Sequence, residues 1–394
     1  MSQWPMMPLG EVCVTSSGGT PSRTHPEYFG GAIPWIKSGD LTDGDVVTCD
    51  ENITEEALRN SSAKLFRKGT VLIAMYGATV GKLGLLGMDA ATNQAVCGIT
   101  TPDELDRGFL FYFLLSQRQK LIGQSTGGAQ PNISQKIVRE LLVPVPHLPE
   151  QRRIVDLLSR AEGIVRLRRE AEKKAAELIP ALFLALFGDP ATNPKGWPVK
   201  TIGELGRVQL GRQRAPKYQT GAHTHSYVRV ANVHEDRIAV SDLLSMDFDN
   251  KDFVQYRLEY GDILLNEGQS TELVGRPAMW RNEINDCCFQ NTLVRFQPNP
   301  SAMNSEFALA ALLHYYRSGA LSQISSKTSN VAHLGAGRFA KLTLYCPPLS
   351  EQREFSSRFE DVRSIQSQQS AATAKAQASF DALLARCFSQ PDAA

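Results

Sequence analysis

The sequence predicts an α/β protein built from two similar globular modules, each followed by a long helix. Two observations predict this fold class. One stretch has the periodicity of a long helix with an apolar side, and a second copy of it lies 201 residues further on, with Gln352 matching Gln151. The segments before the two copies also repeat the same order of strand-like and helix-like runs. We therefore expect two long helices that pack as an antiparallel coiled coil with pseudo-two-fold symmetry.

The first long helix is predicted between Leu148 and Gly188. Pro149 suits a first helical turn, and Gly188 followed by Pro190 ends the run. Pro180 lacks a backbone donor and should kink the helix near its end. Small and apolar residues recur three and four positions apart, so they lie on one side and require a partner. Only Arg168 interrupts this stripe, which consists of Ile154, Leu157, Ala161, Ile164, Ala171, Ala175, Leu178, Leu182 and Ala185.

The repeat defines the domain organisation. Leu349-Ser350-Glu351-Gln352-Arg353 matches Leu148-Pro149-Glu150-Gln151-Arg152, and the helix that follows keeps the stripe with a more polar middle at Gln366 to Gln369. Upstream, Trp4-Pro5 matches Trp197-Pro198, and Gly69 to Ile73 matches Gly261 to Leu265. We expect a first module at residues 1–148, a helix at 149–188, a linker at 189–196, a second module at 197–349 and a second helix at 350–390.

Each module contains the same order of predicted elements. In the first module VCVTSSGGTPS and AIPWIKSGDL predict strands that run into turns, and TVLIAMYG and QAVCGIT predict buried strands. Phe109 to Gln119 predicts a helix with an apolar face, and the polar loop GQSTGGAQPN follows it. In the second module, VRVANV and DILLNEG take the places of WIKSGDL and TVLIAMYG. Phe307 to Tyr316 repeats the apolar helix, and SSKTSNVAHLGAG is predicted as the second polar loop.

Composition favours a globular protein of the cytoplasm. The chain has 394 residues and 42% hydrophobic residues, which is enough for two cores, and no apolar run approaches membrane-spanning length. The first residues show no secretory signal. The seven cysteines form no Cys-x-x-Cys pair, which favours reduced thiols over disulfides or a zinc site. The net charge of +1 neither favours nor excludes a polyanionic partner.

The motifs that could carry chemistry are incomplete. GATVGKLG resembles a phosphate-binding loop, but the spacing of Gly77 and Gly81 is too short and Leu83 replaces the Ser or Thr that would hold magnesium, so we expect a turn between strands. Tyr345-Cys346-Pro347-Pro348 lacks the polar residue and the aromatic residue of an amino-methyltransferase motif. The histidines show no metal-binding spacing. We expect a binding protein that is not an enzyme and has no catalytic residue, metal or cofactor.

Polar side chains in corresponding loops of both modules are the candidates for binding. Arg, Lys, Asn and Gln can make paired hydrogen bonds to purine edges, and Ser, Thr and Lys suit phosphates. Most such loop residues in any protein face water or close turns. Asp40 and Asn232, and Gln94 and Gln290, recur in both copies, which fits a structural role as well as a binding one. The candidates are Lys37, Ser38, Tyr76, Thr79, Lys82, Asn93, Gln94, Gln130 and Asn132 in the first module and Arg229, Asn232, Asn266, Gln269, Ser270, Thr271, Arg276, Gln290, Asn291, Lys327, Ser329 and Asn330 in the second.

The first long helix adds a local positive charge. Arg152 to Lys174 contains eight Arg and Lys against four Asp and Glu. A solvated helix face explains any one of these residues, but together they would suit a DNA backbone.

The doubled Leu-x-Glu-Gln-Arg helix openings, the junction LFGDPATNPKGWP and the Gly-x-(Ile/Val)-Leu strand with a later Asn-Gln or Gln-Asn pair resemble one family. The chain resembles, over nearly its whole length, the specificity (S) subunit of type I DNA restriction–modification systems. The resemblance implies that each module is a target-recognition domain for one half of a bipartite double-stranded DNA site. It places the recognition loops at Gly77–Lys82 and Gly127–Asn132 in the first module and at Gly268–Arg276 and Lys327–His333 in the second.

The resemblance also implies partners. The paired helices would act as a ruler and dock two methyltransferase (M) subunits, and restriction (R) subunits would join the complex. Methylation with S-adenosylmethionine and ATP-driven cleavage would belong to those partners. The modules differ outside their scaffold strands, so they should read different half-sites. The alternative is a protein-interaction scaffold in which the helix pair recruits other proteins and the modules bind peptides or each other.

Overall fold

The computed structural model describes residues 4–124, 132–215, 219–328 and 331–388. The chain divides into two compact units, and each unit contains half of each long helix. The first unit consists of residues up to 169 together with those from 372 onward, and the second unit consists of residues 170–371. None of the helices in the described ranges is both long and apolar enough to cross a membrane.

The first unit is built on three sheets. The predicted buried strands lie next to each other in the largest sheet because Val71–Ala74 and Val96–Thr100 pair in antiparallel orientation. In sheet order, the strands are Val14–Ser17, Val96–Thr100, Val71–Ala74, Leu83–Leu86 and Gly44–Val46 in the five-stranded sheet; Asn52–Ile53, Phe29–Ile36, Ala90–Thr92 and Leu65–Phe66 in the four-stranded sheet; and Met6–Pro8 with Leu142–Pro144 in the third.

The second unit repeats the main sheet and adds small ones. Ile263–Asn266 and Leu293–Pro298 pair as their counterparts do in the first unit. In sheet order, the strands are Gly206–Leu210, Leu293–Pro298, Ile263–Asn266 and Pro277–Met279; Leu244–Asp247, Thr224–Val228 and Cys288–Phe289; Gly268–Gln269, Val331–His333 and Ser326–Thr328; Val233–His234 with Arg237–Ile238; and Val199–Thr201 with Thr343–Tyr345.

Short helices accompany the sheets in both units. The predicted apolar helices are confirmed at Arg107–Gly123 and Ser305–Arg317, capped by the side chains of Asp106 and Asn304. The other short helices are Leu9–Val12, Glu55–Arg59, Gln135–Glu140, Ile202–Leu205, Asn250–Tyr256, Ala320–Gln323 and Ala336–Lys341, with 3-10 turns at Pro26–Tyr28, Ser38–Asp40 and Val230–Asn232.

The two long helices are confirmed at Leu148–Phe187 and Leu349–Phe388. Gly188 follows the first helix with φ of 80°, as expected for the residue that ends a helix. The first helix continues through Pro180.

The helices pack in antiparallel orientation in each unit. In the second unit Phe187, at the end of the first long helix, packs on Phe355, near the start of the second, with ring centroids 5.5 Å apart. In the first unit, Phe388 at the end of the second long helix packs on Phe109 and Phe113 of the apolar helix. Ile154, from the first turns of the first long helix, belongs to the same core.

The polar middle of the second long helix takes part in this packing. Gln366 donates from Nε2 to the carbonyl oxygen of Ala175 at 2.9 Å, both within the second unit. Ala175 lies just over one helical turn before Pro180. A half-buried amide thus takes part in the helix packing, and its Nε2 donor is satisfied by the backbone of the facing helix.

All seven cysteines are free, in agreement with the prediction against a disulfide framework. Burial raises the pKa of the Cys97 thiol and of the Cys287 thiol to about 12. These thiols therefore remain protonated at neutral pH and act as small apolar core residues.

Candidate nucleic-acid interface

The segment that resembles a phosphate-binding loop is the connection of a β-hairpin. Val71–Ala74 and Leu83–Leu86 pair in antiparallel orientation, as the predicted turn requires. The Ala74 amide donates to the Lys82 carbonyl, and the Gly81 amide donates to the Ala74 carbonyl, each at 2.8 Å. Gly77 and Gly81 have φ of 86° and 79°, which explains why the turn uses glycine at these positions.

The end of the second predicted loop lies against this hairpin. Tyr76 and Asn132 form an isolated antiparallel bridge, and the Ile133 amide donates to the Met75 carbonyl at 2.7 Å. The side chain of Gln94 accepts a hydrogen bond from Thr20 and also makes one with the phenol of Tyr76. Partial burial raises the pKa of Tyr76, and the hydrogen bond with Gln94 offsets part of that rise. Asn132 and Gln94 are exposed. The first unit thus collects these polar groups on one surface.

The second unit builds the same arrangement. The Asn266 amide donates to the Arg276 carbonyl at 3.3 Å, and the Gly275 amide donates to the Asn266 carbonyl at 2.8 Å. Arg276 therefore occupies the position of Lys82, so a basic residue ends the hairpin connection in both units. The connection is two residues longer in the second unit than in the first.

The bridge to the second loop also recurs. Gly268 pairs with His333, and the Leu334 amide donates to the Glu267 carbonyl at 2.8 Å. Gly268 and His333 thus stand where Tyr76 and Asn132 stand in the first unit. The same backbone geometry carries different side chains in the two copies.

The segment SSKTSNVAHLGAG, predicted as a polar loop, is partly β-structure. It contains two strands, Ser326–Thr328 and Val331–His333, which form a three-stranded sheet with Gly268–Gln269. Gln269 and Lys327, on the two outer strands, both pair with Ala332 of the central strand. Two candidates therefore stand side by side across the sheet. Local sequence did not reveal the strand Val331–His333 because its second partner, Gly268–Gln269, lies far away in the chain.

Asp40 and Asn232 recur for a structural reason. The Lys37 amide donates to the Asp40 carboxylate at 2.8 Å, and the Arg229 amide donates to the Asn232 side-chain oxygen at 3.0 Å. Asn232 is 2% exposed and donates to the carbonyls of Ala239 and Asp242. The amide of Asn232 is therefore buried and used within the fold, which favours a structural role over DNA binding.

Asn266, another candidate for DNA binding, is also buried. It has no exposed surface, and its side-chain amide donates to the Leu273 carbonyl at 3.3 Å. A side chain in this position supports the hairpin connection and cannot reach a base edge.

The correspondence of Gln94 with Gln290 is shifted by one residue. The Asn93 amide donates to the Ile36 carbonyl, and the Gln290 amide donates to the Val228 carbonyl in the same position of the second unit. Asn93 therefore corresponds to Gln290, and Gln94 corresponds to Asn291.

Several remaining candidates hold internal contacts. The Lys37 ammonium lies 3.3 Å from the Glu51 carboxylate, and the Arg229 guanidinium lies 2.8 Å from that of Asp242. Arg276 donates to the Val233 carbonyl at 2.6 Å. Thr271 and Lys327 are exposed, and the half-buried candidates are Lys37, Ser38, Tyr76, Thr79, Lys82, Asn93, Arg229, Gln269, Ser270, Arg276, Gln290 and Asn291. Gln130, Ser329 and Asn330 lie outside the described residues, as does most of the loop Gly127–Asn132.

Sequence reasoning did not name Thr20 or Glu267, and it placed His333 only as the last residue of a recognition loop. Thr20 orients Gln94, and Glu267 contacts His333 between its carboxylate and Nδ1 at 3.1 Å. Each contact joins residues that are distant in the chain, and no local pattern marks them.

The fold and the two polar surfaces define a class of protein: a duplicated α/β protein whose two units carry different side chains on the same hairpin scaffold. The family model of the type I restriction modification DNA specificity domain matches residues 1–177 and, a second time, residues 194–374. The chain belongs to this family.

Known relatives agree with this family. The specificity subunit of the type I restriction enzyme MjaIX from Methanocaldococcus jannaschii is 28% identical over 232 residues, 53% of this chain and 52% of that protein. The specificity subunit of EcoR124I/EcoR124II from Escherichia coli is 28% identical over 176 residues, 43% of this chain and 44% of that protein. The chain thus spans about half the length of these two relatives.

Solved structures show the same fold. The S subunit of a type I restriction–modification system from M. genitalium superposes with a TM-score of 0.57 at 16% identity, covering 99% of this chain and 97% of that one. A chain from work on the complex assembly and conformational transition of the type I R-M system superposes with a TM-score of 0.63 at 19% identity, covering 98% and 97%.

Proposed function

We propose that this chain is the sequence-specific DNA-recognition subunit of a type I restriction–modification complex of the cytoplasm, with no reaction of its own. Each unit would read one half of a bipartite double-stranded site. Two methyltransferase subunits would supply methylation, and restriction subunits would supply cleavage. The names of the relatives, which are specificity subunits of type I restriction enzymes, support this assignment.

One observation carries the proposal. The bridge of Tyr76 with Asn132 and that of Gly268 with His333 occupy equivalent backbone positions but carry different side chains. Duplicated scaffolds with diverged polar surfaces suit the recognition of two different sequences by one mechanism. Amides, imidazole and basic groups on such surfaces can read base edges in the major groove, and the basic residues can contact phosphates.

The long helices suit the role of a spacer. Each has 40 residues, and a helix of this length reaches about 60 Å. Two modules that read the major groove on one face of DNA contact half-sites about one helical turn, roughly 34 Å, or a multiple of it apart. We propose that the helices set the number of unread base pairs between the half-sites.

Selection of bound DNA tests the proposal. The full chain, alone and with a co-expressed methyltransferase subunit, is incubated with randomised duplexes, and the bound fraction is sequenced. We expect two short sequences separated by a gap of constant length. Retention of no duplex sequence, together with capture of peptides by the modules, would instead support the interaction scaffold.

Variants in single modules test the division of labour. Gln94→Ala should relax the first half-site only, and Gln269→Ala the second half-site only, at a cost of about 1–3 kcal/mol for a lost base contact. Equal losses at both half-sites would contradict reading by separate modules.

Removal of one helical turn from each long helix tests the spacer. The gap should change while both half-site sequences stay the same. A change in the bases selected at either half-site would contradict the proposal that the helices only set the distance between the half-sites.

A further inference from the structure

The imidazole of His333 is held against a glycine in the second unit. His333 pairs with Gly268 through the backbone, and a Cβ at Gly268 would lie 3.2 Å from both Cε1 and Nδ1 of the ring. This distance is shorter than an ordinary van der Waals contact, so a methyl group at this position would press on the ring. In the first unit the residue equivalent to Gly268 is Tyr76, whose large side chain would fill the space of such a ring.

Glu267 holds the ring through its Nδ1 atom. Its carboxylate oxygen Oε2 lies 3.1 Å from Nδ1 of His333. An ionised carboxylate only accepts hydrogen bonds, so Nδ1 must carry the proton. In the neutral ring the other nitrogen, Nε2, is then left with a lone pair.

The ring is accessible and lies beside one basic group. The His333 side chain is 41% exposed, whereas that of Glu267 is 19% exposed. Arg338 donates to the carbonyl of His333 at 2.6 Å and to the hydroxyl of Ser326 at 2.9 Å, which anchors the strand beside the ring. Lys327 on the neighbouring strand pairs with Ala332 and so lies on the opposite face of the sheet, which leaves Arg338 as the basic group beside the ring. An anionic backbone is therefore a suitable neighbour for this face.

We propose that His333 is a specificity-determining residue of the second half-site. Its Nε2 would accept a hydrogen bond from the exocyclic amine of adenine or cytosine in the major groove, and Glu267 would be the positioning residue that fixes the tautomer. This inference rests on the proposed function and adds the class of base that this surface reads. Gly268 serves it by leaving room for the ring.

The test uses the full chain in complex with methyltransferase subunits and a pool of randomised duplexes. The wild-type complex should prefer adenine or cytosine at one position of the second half-site. His333→Ala should lower that preference about tenfold, the size of one lost base contact. Glu267→Gln should weaken or reverse it at the same position, because an amide can donate to the ring and place the proton on Nε2, which then favours guanine or thymine.

Gly268→Ala provides a variant that keeps both polar groups. Its Cβ should displace the ring by a few tenths of an ångström and weaken the preference at the same position. Melting temperatures close to that of the wild type verify the fold of each variant. The matched control is His147→Ala, which removes an exposed histidine from the first unit and should leave the second half-site unchanged.

Two results separate this inference from the proposed function. If the wild-type complex selects a bipartite site and both His333→Ala and Glu267→Gln keep its base preferences at every position, the role of His333 is refuted and the proposed function stands. If the wild-type complex selects no sequence, the proposed function itself is refuted.

Discussion

The side-chain oxygen of Gln151 accepts a hydrogen bond from the backbone amide of Asp106 at 2.7 Å. Gln151 also donates to the carbonyls of Glu104 and Pro146, and its side chain is fully buried. Asp106 caps the apolar helix Arg107–Gly123, so one glutamine joins the start of a long helix to the start of the helix beneath it. Gln352 makes the equivalent bond to the amide of Asn304 at 2.9 Å in the second unit.

This bond predicts a large loss of stability for Gln151→Leu. The substitution leaves the half-buried Asp106 amide and the buried Pro146 carbonyl without their partner, which should cost about 1–3 kcal/mol of the free energy of unfolding. Denaturant unfolding followed by circular dichroism measures the change. The control is Arg153→Ala, because its solvent-exposed ion pair with Glu150 should contribute little to stability. Equal effects of the two substitutions would contradict the role given to Gln151.

Asn232→Ala should lower stability and leave DNA specificity intact. The substitution removes three hydrogen bonds around a buried turn, those to Arg229, Ala239 and Asp242. The expected loss in the free energy of unfolding is about 1–3 kcal/mol. Thermal unfolding measures it, and sequencing of bound DNA should return the wild-type half-sites. A changed base preference would show that Asn232 acts in recognition after all.

Arg295→Leu should strongly destabilise the second unit. Arg295 is 2% exposed, lies 3.2 Å from the Asp262 carboxylate and donates to the carbonyls of Arg257 and Gln255. Burial raises the pKa of Asp262, and Arg295 opposes that rise. Its removal leaves an uncompensated buried carboxyl group, at a cost of about 3–5 kcal/mol in denaturant unfolding.

A double variant separates charge from packing. Adding Asp262→Asn to Arg295→Leu should recover part of the loss, because the buried charge is then absent. Arg257→Ala is the control, since that guanidinium is 46% exposed. The single variant Asp262→Asn is measured as well. If Asp262→Asn lowers the free energy of unfolding by the same amount in Arg295→Leu as in the wild type, the two side chains act independently and the charge argument is wrong.

Asp247 predicts an acid-dependent loss of stability. Hydrogen bonds from Thr220, Gly221 and Thr224 lower the pKa of its carboxyl group from 3.8 to about 2, with the Thr220 hydroxyl as the largest contribution. Because the folded-state pKa is lowered, the stabilisation is complete above about pH 4 and is lost as the pH falls toward 2.

Melting temperatures between pH 2 and 6 test this dependence. The Asp247→Asn variant should be less stable than the wild type at pH 6, and the difference should shrink toward pH 2. Asp361→Asn removes an exposed carboxylate from the second long helix and serves as the control. A difference that stays constant across the range would contradict the contribution of the Asp247 charge.

The sequence alone determined the duplication and the type of each main element. Apolar residues three and four apart predicted both long helices and both apolar helices, and short apolar runs predicted the strands Val71–Ala74 and Val96–Thr100. These predictions succeeded because the signal is local: the spacing of apolar residues reflects the period of the element that they form. The division into modules and spacer helices stays a prediction, since each compact unit includes half of both long helices.

Only the tertiary structure decided which polar residues form a surface and which support the fold. Asn232 and Asn266 have the composition of a binding loop, yet both are buried, whereas the His333 side chain is 41% exposed and is positioned by Glu267 and Gly268. The strand Val331–His333 in SSKTSNVAHLGAG pairs with the distant strand Gly268–Gln269. The physical reason is that a polar side chain is defined by its hydrogen-bond partner, and these partners come from distant parts of the chain that only folding brings together.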